Sequence, residues 1–261
     1  MNISLEAKLA VICGSTQGIG LAIAQELSAA GASCILLARN EAVLRDITGS
    51  LASPKGQLHR FFVADFSKPG EVRKIASTIA RENDVHILVN NTGGPAAGPI
   101  IEAEEDAFLK GFNQHVICNH VLAKAFVPAM KAANYGRIIN IISTSVRIPI
   151  LNLGVSNTLR GAVASWAKSM ANELASFNIT VNNILPGFTD TQRLSSLIEG
   201  NAKRLGKTVS EITSQMMNEI PMKRFAHPSE TAALAAFLAS PAASYITGTS
   251  IPVDGGKTGS I

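Results

Sequence analysis

The 261-residue sequence predicts a single-domain α/β fold built on a doubly wound parallel sheet. Three observations predict it. Apolar runs of strand length alternate with longer amphipathic stretches, the pattern of successive βαβ units. Uniformly apolar strands such as Leu9-Ala10-Val11-Ile12-Cys13 suit a sheet covered by helices on both faces. A glycine-rich turn joins the first strand directly to the first helix.

Taken in order, Lys8–Cys13 reads as a strand and Ile19–Ala30 as the helix after it. Ser33–Ala38 is the second strand and Glu41–Leu51 the second helix. Leu58–Val63, Ile87–Val89, Arg137–Ile142 and Ile179–Ile184 are four further β-rich runs. Glu71–Arg81, Ala103–Ala133, Val155–Phe177 and Ser229–Ser240 are helical by length and periodicity. Ser250–Val253 is a final strand. The irregular tract Gly187–Phe225 is bracketed by Pro186-Gly187 and Pro221, and such a tract in a compact α/β domain suits a lid, here about residues 188–224.

Composition narrows the function classes. A chain of this length buries about three quarters of its unfolded surface around one core. With 46% hydrophobic and 16% charged residues it is not a disordered chain. No stretch approaches the roughly 20 apolar residues of a membrane span, and Met1–Ala10, with Glu6 and Lys8, has no secretory apolar region. Three cysteines, Cys13, Cys34 and Cys118, make an odd count, so a reducing cytoplasmic location is expected. No Cys/His spacing suggests a metal site, and the cysteines read as small apolar fillers. The formal charge is +4, with 23 Lys and Arg against 19 Asp and Glu, and no basic run exceeds Arg73-Lys74. That excludes the concentrated basic face of a nucleic-acid binder and leaves room for one or two anion sites.

The turn Gly14-Ser15-Thr16-Gln17-Gly18-Ile19-Gly20 lies between the first strand and the first helix. Gly14 can turn the chain off the strand, Gly18 lets phosphates approach the backbone, and Gly20 allows tight helix–sheet packing. The helix N-terminus offers free N–H groups and positive partial charge to a pyrophosphate. The spacing G-x-x-x-G-x-G resembles that of the short-chain dehydrogenase/reductase family, and further motifs extend the likeness over essentially the whole chain. Asn90-Asn91-Thr92-Gly93 resembles the family's Asn-Asn-Ala-Gly, which steadies the central sheet. Asp65 resembles the acid that meets the adenine. Asn182-Asn183-Ile184-Leu185-Pro186-Gly187, with Thr189 and Thr191, resembles the segment at the nicotinamide end. Tyr245-Ile246-Thr247-Gly248 and Val253-Asp254-Gly255-Gly256 resemble the C-terminal signature.

The resemblance implies a Rossmann-like fold that binds NAD(H) or NADP(H). Gly14, Ser15, Gln17, Gly18, Ile19, Gly20, Arg39, Asp65, Asn91, Gly93, Pro186, Gly187, Thr189 and Thr191 are the expected cofactor residues. The second strand ends Leu37-Ala38-Arg39-Asn40, with no acid to accept from a ribose 2′-OH. Arg39 can instead form charge-assisted bonds to a 2′-phosphate, so NADP(H) is expected over NAD(H).

The family's Asn-Ser-Tyr-Lys tetrad is altered. Ser143 closes the strand Arg137–Ile142. The Tyr-x-x-x-Lys that the resemblance places thirteen residues on falls at Ser156 and Arg160, and the Asn at His115, fifteen before Met130. A serine is a far weaker acid than a phenol, and an arginine cannot relay a proton as a lysine can. Ser156 and Arg160 still share one helix face. His115 is either the substitute acid/base group or a satisfied helix histidine. His59, His86, His120 and His227 have no constellation around them. Tyr135 precedes its strand at the far end of the sheet, and Tyr245 is expected to pack.

Leu194, Leu197, Ile198, Ile212, Met216 and Met217 suggest amphipathic helical pieces in the lid, which would suit an apolar or bulky small-molecule substrate. Val163, Trp166 and Met170 form a stripe, and the resemblance implies a homodimer or homotetramer. The leading expectation is therefore an NADP(H)-dependent oxidoreductase acting on a carbonyl or secondary alcohol, with 3-oxoacyl thioesters among the substrates of relatives. The alternatives are a cofactor-binding pseudo-dehydrogenase serving as sensor or partner subunit, and dehydration or isomerisation on the same scaffold.

Overall fold

The structure is a computed structural model that describes residues 2–260. It forms seven parallel strands: β1 Leu9–Cys13, β2 Ser33–Ala38, β3 Arg60–Val63, β4 Ile87–Asn90, β5 Gly136–Ile141, β6 Ile179–Pro186 and β7 Ser250–Val253. Their order in the sheet is β3-β2-β1-β4-β5-β6-β7. The chain builds outward from β1 to β3, then crosses back to lay β4 against the other side of β1. That reversal opens a crevice at the C-terminal ends of β1 and β4, the position where this architecture binds ligands.

The helices are α1 Gly18–Ala29, α2 Glu41–Ser50, α3 Pro69–Glu82, α4 Glu105–Phe112, α5 Cys118–Ala132, α6 Gly154–Leu174, α7 Gln192–Leu205, α8 Val209–Asn218 and α9 Pro228–Ala239. Period-two alternation in β1 sends Ala10 and Ile12 to one layer, with Ile23 and Leu27 of α1 and Leu238 of α9. Val11 and Cys13 go to the other, with Ile79 of α3, Phe126 of α5 and Ala167 of α6. Both faces are covered, which is why β1 and β2 read as almost unbroken apolar runs.

The expected single helix Ala103–Ala133 is corrected. A 3₁₀ turn at Ile100–Glu102 precedes α4, and a π turn at Asn113–Ile117 separates α4 from α5. Within the wider turn His115 and Val116 are buried, and such turns concentrate at functional positions.

The central strands are cross-tied by polar side chains. Asn90, Asn140, Asn183 and Ser250 lie in register on β4, β5, β6 and β7. Asn90 Nδ2 donates to Asn140 Oδ1 at 2.8 Å, Asn140 Nδ2 to Asn183 Oδ1 at 2.9 Å, and Asn183 Nδ2 to Ser250 Oγ at 3.0 Å. Asn182 Nδ2 donates to the Ile246 carbonyl, and its Oδ1 accepts from Thr249 N. Asn182 and Asn183 therefore spend their amides on the sheet and the C-terminal segment.

The tract after β6 folds into α7 and α8, and the expected helical pieces are present. Leu194, Ile198, Ala202, Ile212 and Met216 bury one another beside Phe188, Leu197 and Phe225. Met216 is thus part of the tract's own core, and its adaptability is not available to a substrate.

Candidate functional site

The phosphate turn is set by close backbone approach. Gly14 has a φ of +59°, and a Cβ there would strike the Asn91 backbone oxygen. A Cβ on Gly20 would overlap the Gly14 carbonyl. Asn91 Nδ2 donates to the Cys13 and Gly14 carbonyls, both at 3.2 Å, so it holds the turn in shape. Gln17 precedes α1 with no side-chain cap, leaving the first N–H groups of α1 without a protein partner. Ser15 Oγ is fully buried in the same turn and has no hydrogen-bond partner. Free helix donors, an orphaned hydroxyl and glycine-only backbone fit a dinucleotide pyrophosphate.

Arg39 follows β2, and Asp65 follows β3. Ala64 N donates to the Ala38 carbonyl at 2.8 Å, which brings the two strand ends together. Asp65 is held below the usual carboxylate range chiefly by the Ser67 backbone N–H and hydroxyl, with the charges of Lys68 and Arg39 adding to the effect. Arg39 is exposed, and none of the ion pairs among the described residues includes it. Asn40 is committed to capping α2 through Val43 N. Among the described residues, Arg39 therefore stands at the strand end as a cation outside any ion pair.

At the far side of the crevice, Gly187 N bonds the Val253 carbonyl at 2.9 Å, and a Cβ on Gly187 would meet Asp254. Thr191 caps α7, accepting from Leu194 N, and its methyl stands 3.0 Å from where a Cβ on Gly18 would be. Thr189 is buried, and its hydroxyl donates to the Gly187 carbonyl. The segment Pro186–Thr191 thus faces the phosphate turn, while Gly93, exposed, accepts from Gln114 Nε2 through its carbonyl.

The four altered tetrad positions fall into two groups. Ser143 follows β5 and caps the 3₁₀ turn Thr144–Val146; its Oγ accepts from Ser145 N at 3.0 Å, leaving its own proton to give. Ser156 and Arg160 lie on α6, and both approach Gly94: the site of a Gly94 Cβ is 3.8 Å from Ser156 Oγ and 3.5 Å from Arg160 Nη2. Arg160 donates to the carbonyls of Ile141 at 3.3 Å and Thr92 at 3.4 Å. Burial, then the charge of Arg193, pushes its guanidinium down to about 10, so it remains charged at neutral pH.

His115 is 1% exposed, and its Nδ1 lies 2.7 Å from Thr92 Oγ1, while Nε2 has no partner. Burial, reinforced by the Arg160 charge and only partly offset by a backbone carbonyl at Gly93, drives its pKa down to about 3. A proton-loaded imidazolium is therefore absent near pH 7. The Thr92 hydroxyl is the partner of Nδ1, and the buried Nε2 is left with no protein partner.

A model described as enoyl-(acyl carrier protein) reductase matches residues 14–258. The chain belongs to the short-chain dehydrogenase/reductase family. Among its relatives, the NADPH-dependent reductase BacG of Bacillus subtilis is 33% identical, over 98% of this chain and 100% of that protein. The 3-oxoacyl-[acyl-carrier-protein] reductase FabG of Vibrio cholerae is 32% identical, over 97% and 98%. The crystal structure of L-sorbose reductase from Gluconobacter frateurii, complexed with NADPH and L-sorbose, superposes with a TM-score of 0.93 at 31% identity and full coverage of both chains.

The family's tyrosine has no replacement in this crevice from the chain's own two. Tyr135 OH donates to the Ala239 carbonyl at 2.5 Å, at the opposite end of β5. Tyr245 is fully exposed, which corrects the expectation that it packs. His86 accepts from Leu9 N, His59 from Cys34 N, His120 from Trp166 Nε1, and His227 caps α9, so all four serve local structure. The three cysteines are buried and unpaired, and burial raises each thiol, Cys34 and Cys118 to about 12. Among the described residues no cluster could hold a metal ion, and no helix is long and apolar enough to cross a membrane. A cavity of about 370 Å³ between Phe188, Met222 and Asp254 contains none of the tetrad positions.

Two residues at the site escaped the sequence reading. Thr92 stands where the family motif has Ala, and that departure was the available signal for a partner to His115. Arg193 carried no motif, and only the approach of α7 to the loop after β4 brings it near Arg160: its Nη2 donates to the Pro95 carbonyl at 2.8 Å.

Proposed function

We propose that this chain is an NADP(H)-dependent oxidoreductase that interconverts a carbonyl and a secondary alcohol on a small molecule. One observation carries the reading: the uncapped N-terminus of α1 and the Ser143 hydroxyl lie at the same, C-terminal edge of one parallel sheet. NADPH, when bound, supplies the hydride. The Gly14–Gly20 turn and Ser15 hold the pyrophosphate, Arg39 the 2′-phosphate, Asp65 the adenine side, and Pro186, Gly187, Thr189 and Thr191 the nicotinamide side. Asn91 acts through the shape of the turn, and Gly93 borders the crevice.

Ser143, oriented by Ser145 N, donates a hydrogen bond that polarises the substrate oxygen, and solvent supplies the proton that completes the alcohol. Arg160 holds fixed positive charge beside Gly94, at the position of the family's lysine. Ser156 is the polar neighbour at the position of the family's phenol. His115 stays neutral and positions Thr92, whose carbonyl receives Arg160. The segment of about residues 188–224 acts as the lid, as the NADPH-dependent relatives' likeness along the whole chain supports.

A groove of about 500 Å³ along α5 and α6, lined by Val127, Pro128, Met170 and Leu174, supports pairing of these helices between copies in a homodimer or homotetramer. Buried free thiols suit a cytoplasmic setting.

The test follows NADPH oxidation over a panel of ketones. Turnover is expected, and Ser143→Ala should lower kcat by roughly 100-fold, the order seen when one transition-state donor is removed. Tight NADPH binding without oxidation of any ketone would replace this reading with the non-catalytic one.

A further inference from the structure

Arg160 is only 7% exposed. None of the eight ion pairs formed by described residues includes it or Arg193. A buried charge without a counter-ion is costly. Here a second guanidinium adds to the cost, since the Arg193 charge lowers Arg160 further. Arg193 is itself oddly placed. It lies in the first turn of α7, two residues after the capping Thr191, where the helix dipole disfavours a cation.

The donors converge. Arg160 Nη2, Arg193 Nη2 and Ser156 Oγ are the atoms nearest to where a Cβ on Gly94 would stand, at 3.5, 3.7 and 3.8 Å. Each Nη2 carries two hydrogens. One from Arg160 goes to the Thr92 carbonyl and one from Arg193 to the Pro95 carbonyl, so each nitrogen keeps a hydrogen facing no protein acceptor. Gly94 lies in the loop after β4, and the pyrophosphate donors belong to the separate turn after β1.

We propose that Arg160, Arg193 and Ser156 form a carboxylate-binding pocket beside Gly94, and that the substrate is an oxo acid or hydroxy acid held there by its carboxylate. The identification of a reacting carbonyl rests on the oxidoreductase reading above; the anion pocket itself does not. A carboxylate neutralises the paired arginines, accepts from both forks and from the serine, and draws α7 down onto the loop after β4. Arg193, exposed until then, becomes the specificity-determining residue of the lid.

The experiment has two arms on the full chain. In the first, NADPH oxidation is measured with 2-oxobutanoate, 3-oxobutanoate and 4-oxopentanoate, each against its methyl ester. At least one acid should exceed its ester in kcat/KM by about tenfold or more, and Arg193→Gln should reduce that ratio by about tenfold, with partial recovery in Arg193→Lys. In the second, the same acids and esters are titrated calorimetrically into NADP-loaded wild type and Arg193→Gln, which reports binding without turnover. Acids that bind with dependence on Arg193 yet are never reduced would sink the reaction assignment and leave the pocket standing. Ketones reduced with no acid preference in either arm would overturn the pocket and leave the reaction standing. A tenfold loss of NADPH affinity in Arg193→Gln, with the acid-to-ester ratio unchanged, would assign the arginines to a cofactor phosphate and overturn the proposal.

Discussion

His115 offers a measurement that separates a structural histidine from a titrating catalyst. Its imidazole ordinarily titrates at 6.5, and in the folded chain burial and the Arg160 charge lower that to about 3. The folded state therefore binds no proton at His115 between these values, whereas the unfolded chain does. Stability is fully present above pH 6.5, declines as pH falls below it, and levels off only near pH 3. At pH 5 the unfolded chain gains about 1.5 units' worth of protonation free energy, or roughly 2 kcal/mol. His115→Asn removes the titration while keeping a polar side chain. Urea unfolding of wild type and variant at pH 8 and pH 5 isolates the term, because other groups titrate alike in both. The variant should gain about 2 kcal/mol on wild type between the two pH values. A difference constant to within about 0.5 kcal/mol would show that His115 protonates freely in the fold, and would restore it as an acid/base candidate.

Other perturbations test the rest of the site. Gly20→Ala drives a methyl into the Gly14 carbonyl and the Asn91 amide, so it should cost about 1–3 kcal/mol and weaken NADPH binding together; an unchanged melting temperature would contradict the geometry. Asn140→Leu strips an acceptor from Asn90 and a donor from Asn183, which should lower stability in urea by about 2–4 kcal/mol, and a loss under about 1 kcal/mol would mean that the ladder carries little. Arg39→Ala should reduce the preference for NADPH over NADH by about 10- to 100-fold in paired titrations, as expected for removing a charge-assisted contact to the 2′-phosphate. Equal affinities in wild type would remove Arg39 from that role.

Much was legible in the linear chain because it depends on local period and on glycine. The alternation of short apolar runs with helical stretches is enough to place all seven strands within about two residues at most ends, since burial on both faces favours apolar parallel strands. Gly14 and Gly20 announce the phosphate turn because no other residue permits that approach of backbone to backbone, and Gly18 adds a positive φ between them. The family resemblance likewise leads from Ser143 to Ser156 and Arg160 without any coordinates. What the sequence could not decide is what surrounds these side chains. The neutrality of His115 comes from burial and from a cation 45 positions away, and the amide ladder from strands that meet only after three crossovers. The pairing of Arg160 with Arg193 arises where α7 meets a loop nearly 100 residues earlier in the chain. Backbone conformation is written in nearest neighbours, whereas charge, desolvation and donor convergence depend on distance in space, which only the tertiary structure sets.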